Sequence, residues 1–353
     1  MFEALKVIEL ANVLAGPATG LFFAEMGAEV IKVEHPDGGD ITRKWKLPTE
    51  DPESSVSAYY CSVNWHKKVV QPDLRTDAGR QEVYDLVKEA DVVIANYKPG
   101  DDIKLGMDYA TLKAINPNLI YAHLTGFGAN DQRTAFDVVL QAETGFMSMN
   151  GNPESGPVKM PVALIDVLAA HQMKAGILTA LIKKMKTGEG SYVSVSLYES
   201  AVAALANQAS NYLMAGHIPQ RMGSLHPNIA PYGEIFQTKD QQSIVLACGT
   251  DKQFANLCAV LNLPELIHDE RFSTNPARVI HRSALANLLQ PAFQQQDLET
   301  VLTALHEAKV PVGAIRDMAG VFAEPMAREM VLEETIEDGT PTKRVKTVAF
   351  RFQ

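Results

Sequence analysis

The stretch KVIELANVLAGPATGLFFAEMGAEVIKVE, residues 6–34, decides the fold. Lys6–Leu10 is a short apolar run that predicts a buried strand. Asn12–Gly16 is a loop of small residues, and Pro17 suits a first helical position, where its missing N–H costs nothing. Leu21, Phe22, Glu25 and Met26 follow at helical spacing, and Gly27 suits a C-terminal cap. Glu29–Glu34 is a second strand. A strand, a helix and a strand in this order form a β-α-β unit, which implies parallel strands joined by a right-handed crossover.

The pattern recurs down the chain. Thr76 or Asp77 caps a helix carrying Val83, Leu86, Val87 and Ala90, and Asp91–Ala95 is the next strand. Asp108 caps a helix with Tyr109, Leu112 and Ile115, followed by a strand at Leu119–Leu124. Ala163–Met185 reads as a long buried helix ending at Gly188, Tyr192–Leu197 as a strand and Ser200–Met214 as a helix. The fold class is therefore α/β, with a doubly wound parallel sheet. After Gly216 the texture changes to a proline-, glycine- and histidine-rich tract. A hairpin follows at Ile235–Leu246, turning at Lys239–Gln242. Helices continue to about residue 330, with an apolar piece at Val310–Ile315. The expected organisation is a large domain over 1–216, a linker over 217–233, a smaller α+β domain over 234–325, and a closing segment over 326–353 that returns toward the large domain.

A chain of 353 residues has room for about two domains. Its hydrophobic fraction of 46% and charged fraction of 21% rule out a disordered polyelectrolyte. With 32 basic and 42 acidic residues the net charge is −10, which excludes a broad nucleic-acid-binding surface but leaves room for a local basic cluster. Cys61, Cys248 and Cys258 form no CxxC pair, so neither a disulfide framework nor a cysteine zinc site is expected. The opening MFEALKVIELANV lacks a basic, then apolar, signal pattern. Val162–Ile182 is interrupted by Asp166, His171 and Lys174, so no membrane partner is expected. A cytoplasmic protein is the resulting expectation.

Asp166 is the only acid between Glu154 and Glu189, at the start of the buried helix. It reads as an N-cap. A compatible reading is a carboxylate nucleophile, which must stay ionised and gains from helix N-terminal amides. Asp137, in RTAFDVVLQAETG, reads as a second acid near the same site, with Phe136 beside it in the core. Lys32, His35, Arg75, Lys98, Lys104 and Arg133 fall near strand ends and each reads singly as solvated surface. Ligands of open α/β sheets bind beyond the carboxyl ends of strands, so His35, Arg75 and Lys98 suggest an anionic, phosphate-bearing ligand. The turn ANVLAGPATG is not GxGxxG, although Glu34 stands where a ribose-binding acid would, so a nicotinamide enzyme is disfavoured. HExxH, P-loop and GxSxG patterns are absent, and His171 reads as a core histidine.

Several segments together resemble the family III CoA-transferases, a group that includes formyl-CoA transferase, carnitine CoA-transferase and α-methylacyl-CoA racemase. They are the opening stretch through HPDGGDITRKW, DVVIANYKPG, RTAFDVVLQAETG, IDVLAAHQMKAGILTALIKKMKTGEG, LHPNIAPY, DERFSTNPARVIHR and HEAKVPVGAI. The resemblance implies an interlocked homodimer of Rossmann-like large domains and small domains. It implies transfer of CoA from an acyl-CoA to a small carboxylic acid through Asp166, by a mixed anhydride and then an aspartyl-CoA thioester, with CoA as substrate and no covalently bound cofactor. Leu14, Ala15, His35, Arg75, Asn96, Tyr97, Lys98, Lys104, Arg133 and Phe136 match positions that bind CoA, with Lys104 standing where the family has arginine.

Departures from the family narrow the reading. The racemases carry a histidine where this chain has Phe136, which exchanges no proton, so a 2-methylacyl-CoA racemase is the weaker alternative. A non-catalytic acyl-CoA-binding homologue is a further one. Formyl-CoA transferase has glutamine where Leu14 stands, and a glycine-rich loop that is replaced here by GSLHPNIAPYG. Leu14, Trp45 and Met147 predict an acyl pocket less polar than one built for oxalate. The sequence stops at Gln353, before the C-terminal helix usual in the family.

Overall fold

The computed structural model describes residues 2–336 and 338–351. Six strands form the central sheet: β1 (Lys6–Leu10), β2 (Glu29–Val33), β3 (Lys68–Val70), β4 (Val92–Ala95), β5 (Ile120–Thr125) and β6 (Ser191–Ser196). Their order is β3-β2-β1-β4-β5-β6, and every pairing is parallel. This is the order of a doubly wound sheet, in which the switch point falls between β1 and β4. β4 and β5 are buried along their whole length, as a sheet covered on both faces requires. Val7, Phe23, Val92, Ile94, Ile165, Met173 and Ile177 fill one face, and Ile8, Leu10, Val83, Val93, Leu112 and Tyr121 the other.

The first helix spans Ala15–Glu25 and begins two residues earlier than its proline suggests. Pro17 is its third residue, where the N–H would still have no partner within the helix. Gly20 is required for close approach. A Cβ there would lie 1.9 Å from Glu9 Oε2 on β1, so the helix can pack against the strand only without a side chain at that position. Thr76 and Asp108 cap their helices through side-chain oxygens. The helix expected over Ser200–Met214 is two, Leu197–Ala203 and Ala206–Ala215, broken where Ala206 takes a positive φ of 46°. β3 has only three residues and carried no readable sequence pattern.

The chain divides into two compact units: Met1–Ser148, Lys159–Pro219 and Glu329–Gln353 in one, Met149–Val158 and Gln220–Arg328 in the other. These boundaries differ from the sequence reading in three places, the smaller unit running on to Arg328 being one. Residues 149–158 group with the smaller unit, where the Gly223 N–H donates to the Gly151 carbonyl at 2.9 Å. The tract read as a linker over 217–233 is divided, with 220–233 inside the smaller unit. That unit holds the antiparallel strands β7 (Tyr232–Gln237), β8 (Ser243–Ala247) and β9 (Val312–Ala314), with a core of Phe236, Leu246, Phe254, Leu257, Leu289 and Phe293. Its LHPNIAPY tract is held by one helical stretch. Asn275 donates to the Asn228 carbonyl, Arg278 to that of Ala230, and Arg282 to those of His226 and Ile229. The closing residues form a hairpin, β10 (Val331–Thr335) with β11 (Pro341–Val345), and Arg344 on β11 pairs with Glu25 at 2.7 Å.

Candidate functional site

The long helix Leu164–Thr187 packs Ile165, Ala169, Met173 and Ile177 into the sheet core. It is long and apolar enough to cross a membrane by length and composition alone. Its N-cap is Ala163, which makes Asp166 the third helical residue. The N-cap reading of Asp166 is therefore corrected: its side chain caps nothing. Two of the free amides of the first turn are satisfied from elsewhere. Leu164 N–H donates to the Val162 carbonyl at 2.7 Å, and Ile165 N–H donates to Asp137 Oδ1 at 2.7 Å. A carboxylate from a second helix, Asp137–Glu143, thus caps the helix that carries Asp166.

Among the described residues, nothing donates a hydrogen bond to the Asp166 carboxylate, although the residue is only 8% exposed. Burial, and then the charge of Asp137, push its pKa up to about 7. A carboxyl in this state keeps its lone pairs uncommitted and lies in a low-dielectric site, the environment in which functional acids are found.

Tyr59 borders the same site, and sequence reasoning missed it. Burial raises its phenol to about 12, with further contributions from the charges of Asp166, Asp137 and Asp40. The Trp45 ring meets the Tyr59 ring edge-on at 5.0 Å. Leu14 packs with Ala18, Leu21, Val63 and Ala170, the last standing one turn along the helix from Asp166. Met147 lies half-buried in the short helix Phe146–Met149, and no described contact joins it to Trp45.

The loop after β1 is held by buried charge. Val13 has φ +73°, a left-handed conformation that is strained for a β-branched residue. Its N–H donates to Asp40 Oδ2 at 3.2 Å, while the Asn12 main chain exchanges two hydrogen bonds with the Asn96 side chain. Asp40 pairs with Lys32 at 3.1 Å, and Lys32 pairs with Glu9 at 3.0 Å, all three side chains having no solvent exposure. Lys67 completes this cluster on Glu9 at 2.8 Å, and burial pushes its pKa down to about 8. Lys32 is thus not solvated surface, and Glu34 is not a ribose ligand. Glu34 instead binds Arg43 at 2.7 Å and accepts from Tyr60 Oη at 2.7 Å.

The remaining candidates lie at or beyond the carboxyl ends of the strands. His35 follows β2, Arg75 follows β3, and Asn96, Tyr97 and Lys98 follow β4. Asp37 links the first two, lying 4.0 Å from His35 and 3.7 Å from Arg75, and Arg75 also pairs with Asp73 at 2.8 Å. The Tyr97 carbonyl meets His123 Nε2 at 3.0 Å, and Lys98 donates to Thr134 at 2.9 Å, joining the β4 loop to the segment before Asp137. Ala15 has its methyl group buried in the core, so its backbone is what remains for a ligand.

Three further candidates lie outside these loops. Lys104 is exposed and pairs with Asp101 on its own helix at 2.7 Å, and no described contact joins it to His35 or Arg75. The Arg133 guanidinium lies 3.7 Å over the Phe127 ring and pairs with Asp131 and Glu143. Phe136 is 49% exposed at the start of its helix, not in the core. His171 is likewise exposed. Among the described residues no group of three or more His, Cys, Asp or Glu is placed to hold a metal ion.

The strand order, the loops gathered at the strand ends and the donor-free buried acid define an α/β enzyme of the Rossmann-like class. Comparison with known proteins resolves it further: the chain belongs to the CoA-transferase family III, matched over residues 2–353, and is a CoA-transferase. It is 41% identical to the succinate–glutarate CoA-transferase of Agrobacterium fabrum, covering 98% of this chain and 88% of that protein. It is 36% identical to human succinyl-CoA:glutarate CoA-transferase, with 97% and 77% covered. A crystal structure of a CaiB/BaiF family protein from Brucella suis superposes with a TM-score of 0.88 at 41% identity, with 99% and 92% covered.

Proposed function

We propose that this enzyme moves CoA from a short dicarboxylyl-CoA, of the succinyl-CoA kind, to a second short aliphatic dicarboxylate of the glutarate kind, with Asp166 as nucleophile. The observation that carries the reading is Asp166 itself, a buried carboxyl in a first helical turn whose Leu164 and Ile165 amides go to other acceptors. The substrate class follows relatives named for succinate and glutarate, both longer than oxalate. It suits the apolar surface offered by Leu14 and Trp45 better than oxalate, which has no methylene to bury.

In the proposed sequence an Asp166 oxygen attacks the thioester carbon. The C–S bond breaks, CoA leaves as thiolate, and a mixed anhydride remains. The thiolate attacks the aspartyl carbonyl of that anhydride, releasing the donor carboxylate and leaving aspartyl-CoA thioester. The acceptor carboxylate attacks this thioester and expels CoA thiolate again. The thiolate then takes the acceptor acyl carbon and frees Asp166. Each step exchanges one acyl bond for another, so a single difficult transfer becomes several easier ones. His35, Arg75 and Lys98 would hold the phosphates of CoA, and Asn96 and Tyr97 the loop that receives it. The active form would be a homodimer.

The test incubates enzyme with succinyl-CoA and hydroxylamine and maps the modified residue by mass spectrometry, alongside an acceptor screen of glutarate, succinate, oxalate and hexanoate. Aspartyl hydroxamate at 166 and fastest transfer to glutarate or succinate support the reading. An Asp166→Ala protein with full transfer would overturn the mechanism, and fastest transfer to hexanoate would overturn the substrate class. Solvent deuterium entering a 2-methylacyl-CoA would favour an α-proton enzyme, to which Phe136 contributes no base.

A further inference from the structure

Gln141 takes no part in the chemistry described so far, yet it is a 1% exposed polar side chain one helical turn beyond Asp137. Its amide nitrogen donates to Asp137 Oδ2 at 2.6 Å and to the Met160 carbonyl at 3.3 Å, and its amide oxygen accepts from the Met160 N–H at 2.8 Å. Asp137 uses its other oxygen, Oδ1, for the Ile165 N–H. The chain from 160 to 165, which leads into the Asp166 helix, is therefore gripped at both ends. Gln141 holds its beginning and Asp137 its end, and each side chain fixes the other.

We propose that Gln141 is a positioning residue for the transferase reaction: by holding Asp137 on the Ile165 amide, it keeps the first turn of the helix capped from outside and leaves Asp166 free of donors.

Competition for the same amides supplies the physical reason. An acid in the first helical turn lies within reach of free N–H groups, and a carboxylate that accepts them becomes a weaker nucleophile. With Ile165 N–H held by Asp137, the turn is fixed through that carboxylate and not through Asp166. Only a primary amide fits position 141, because the site asks one side chain to donate to a carboxylate and to accept from a main-chain N–H. Glutamate keeps the shape but loses the donor and adds a charge. Methionine keeps the volume but leaves Asp137 Oδ2 and Met160 N–H without their partner.

This inference rests on Asp166 being the nucleophile, and the experiment separates the two. Gln141→Met, Gln141→Glu, Asp137→Asn and the double variant Gln141→Met/Asp137→Asn are measured for kcat, KM for succinyl-CoA and the pH profile of kcat/KM, with Asp166→Ala as control. The titratable groups coupled to Asp166 are Asp137 on its neighbouring helix and the Tyr59 phenol, so a shifted profile reports on this set. Expected results are a fall in kcat of tenfold or more in both Gln141 variants, KM within twofold of the parent, and an acid limb displaced upward in Gln141→Glu. The double variant should be no worse than Asp137→Asn alone, since Gln141 acts through that carboxylate. Should Gln141→Met not fold, Gln141→Glu carries the same readouts. Gln141 variants with parental kcat and an unmoved acid limb would overturn the inference while an inactive Asp166→Ala leaves the nucleophile standing. A fully active Asp166→Ala removes both.

Discussion

Burying Asp166 without a donor has a cost that the fold must carry. Its pKa lies near 7 in the native protein against an ordinary value of 3.8, so between these values the folded chain binds more protons than the unfolded one. Stability therefore falls as pH rises from about 4 to about 7, and above 7 the full penalty is present. At about 1.4 kcal/mol for each unit, a displacement of this size has an upper bound of about 4 kcal/mol. Asp166→Asn, neutral at every pH, is expected to melt several degrees above the parent at pH 8 and at nearly the same temperature at pH 4.5, as thermal melts by circular dichroism would register. An equal advantage at both values would mean that the carboxylate is solvated in the native state. In the proposed mechanism the attacking form is the carboxylate, so the same titration would govern activity: kcat/KM should rise through an apparent pKa near 7, and a profile flat from pH 5.5 to 8 would contradict it. Asp166 was legible in the sequence as the one acid in a long apolar tract. Tyr59 was not, because nothing in the local string AYYC distinguishes a phenol facing the site from one facing the core.

At the scale of elements, legibility followed the range of the interactions. The apolar runs of β1, β2, β4 and β5 and the local caps Thr76 and Asp108 are contained within a few residues, and each appears where the pattern places it. The cap on the Asp166 helix comes from Asp137, 28 residues away, and no local pattern encodes it. Lys32 and Glu9 illustrate the same limit. A lysine in a short strand reads as a solvated edge until the fold supplies Glu9 and Asp40 as its partners. The glycines of ANVLAGPATG gave no nucleotide fingerprint, and the structure supplies another reason for Gly20. Glu9 Oε2, held by Lys67, occupies the space of the missing Cβ. Gly20→Ala ought to gain helix propensity of about 1 kcal/mol. Against that stand overpacking costs of typically about 1–3 kcal/mol, and the obstructing atom is a fixed carboxylate, not a flexible chain end. The expected outcome is a net loss of stability, read as a lower urea midpoint. A raised midpoint would show that the Glu9–Lys32–Lys67 cluster shifts readily, and with it the support of the Val13 loop.

For the whole molecule, the surface presents apolar side chains that one chain leaves uncovered. On the helix Ala206–Ala215, Leu213 and Met214 are 77% and 87% exposed and Tyr212 is more than half exposed. Ile182 and Met185 are also exposed on the last turns of the long helix. Scattered apolar residues on a surface need no explanation, but a run of three on one exposed turn is a feature of contact surfaces. In the homodimer proposed as the active form, the cover for this helix would be a second copy. Sedimentation equilibrium should return twice the mass of the chain at assay concentrations. Replacing Leu213 and Met214 together by glutamate adds two charges to a contact between copies that each carry a net charge of −10, and it should shift the population toward single chains. Transfer activity should fall with it, because the active form proposed is a homodimer. A parent that sediments as one chain with full activity would remove the dimer from the account while leaving the chemistry of Asp166 intact.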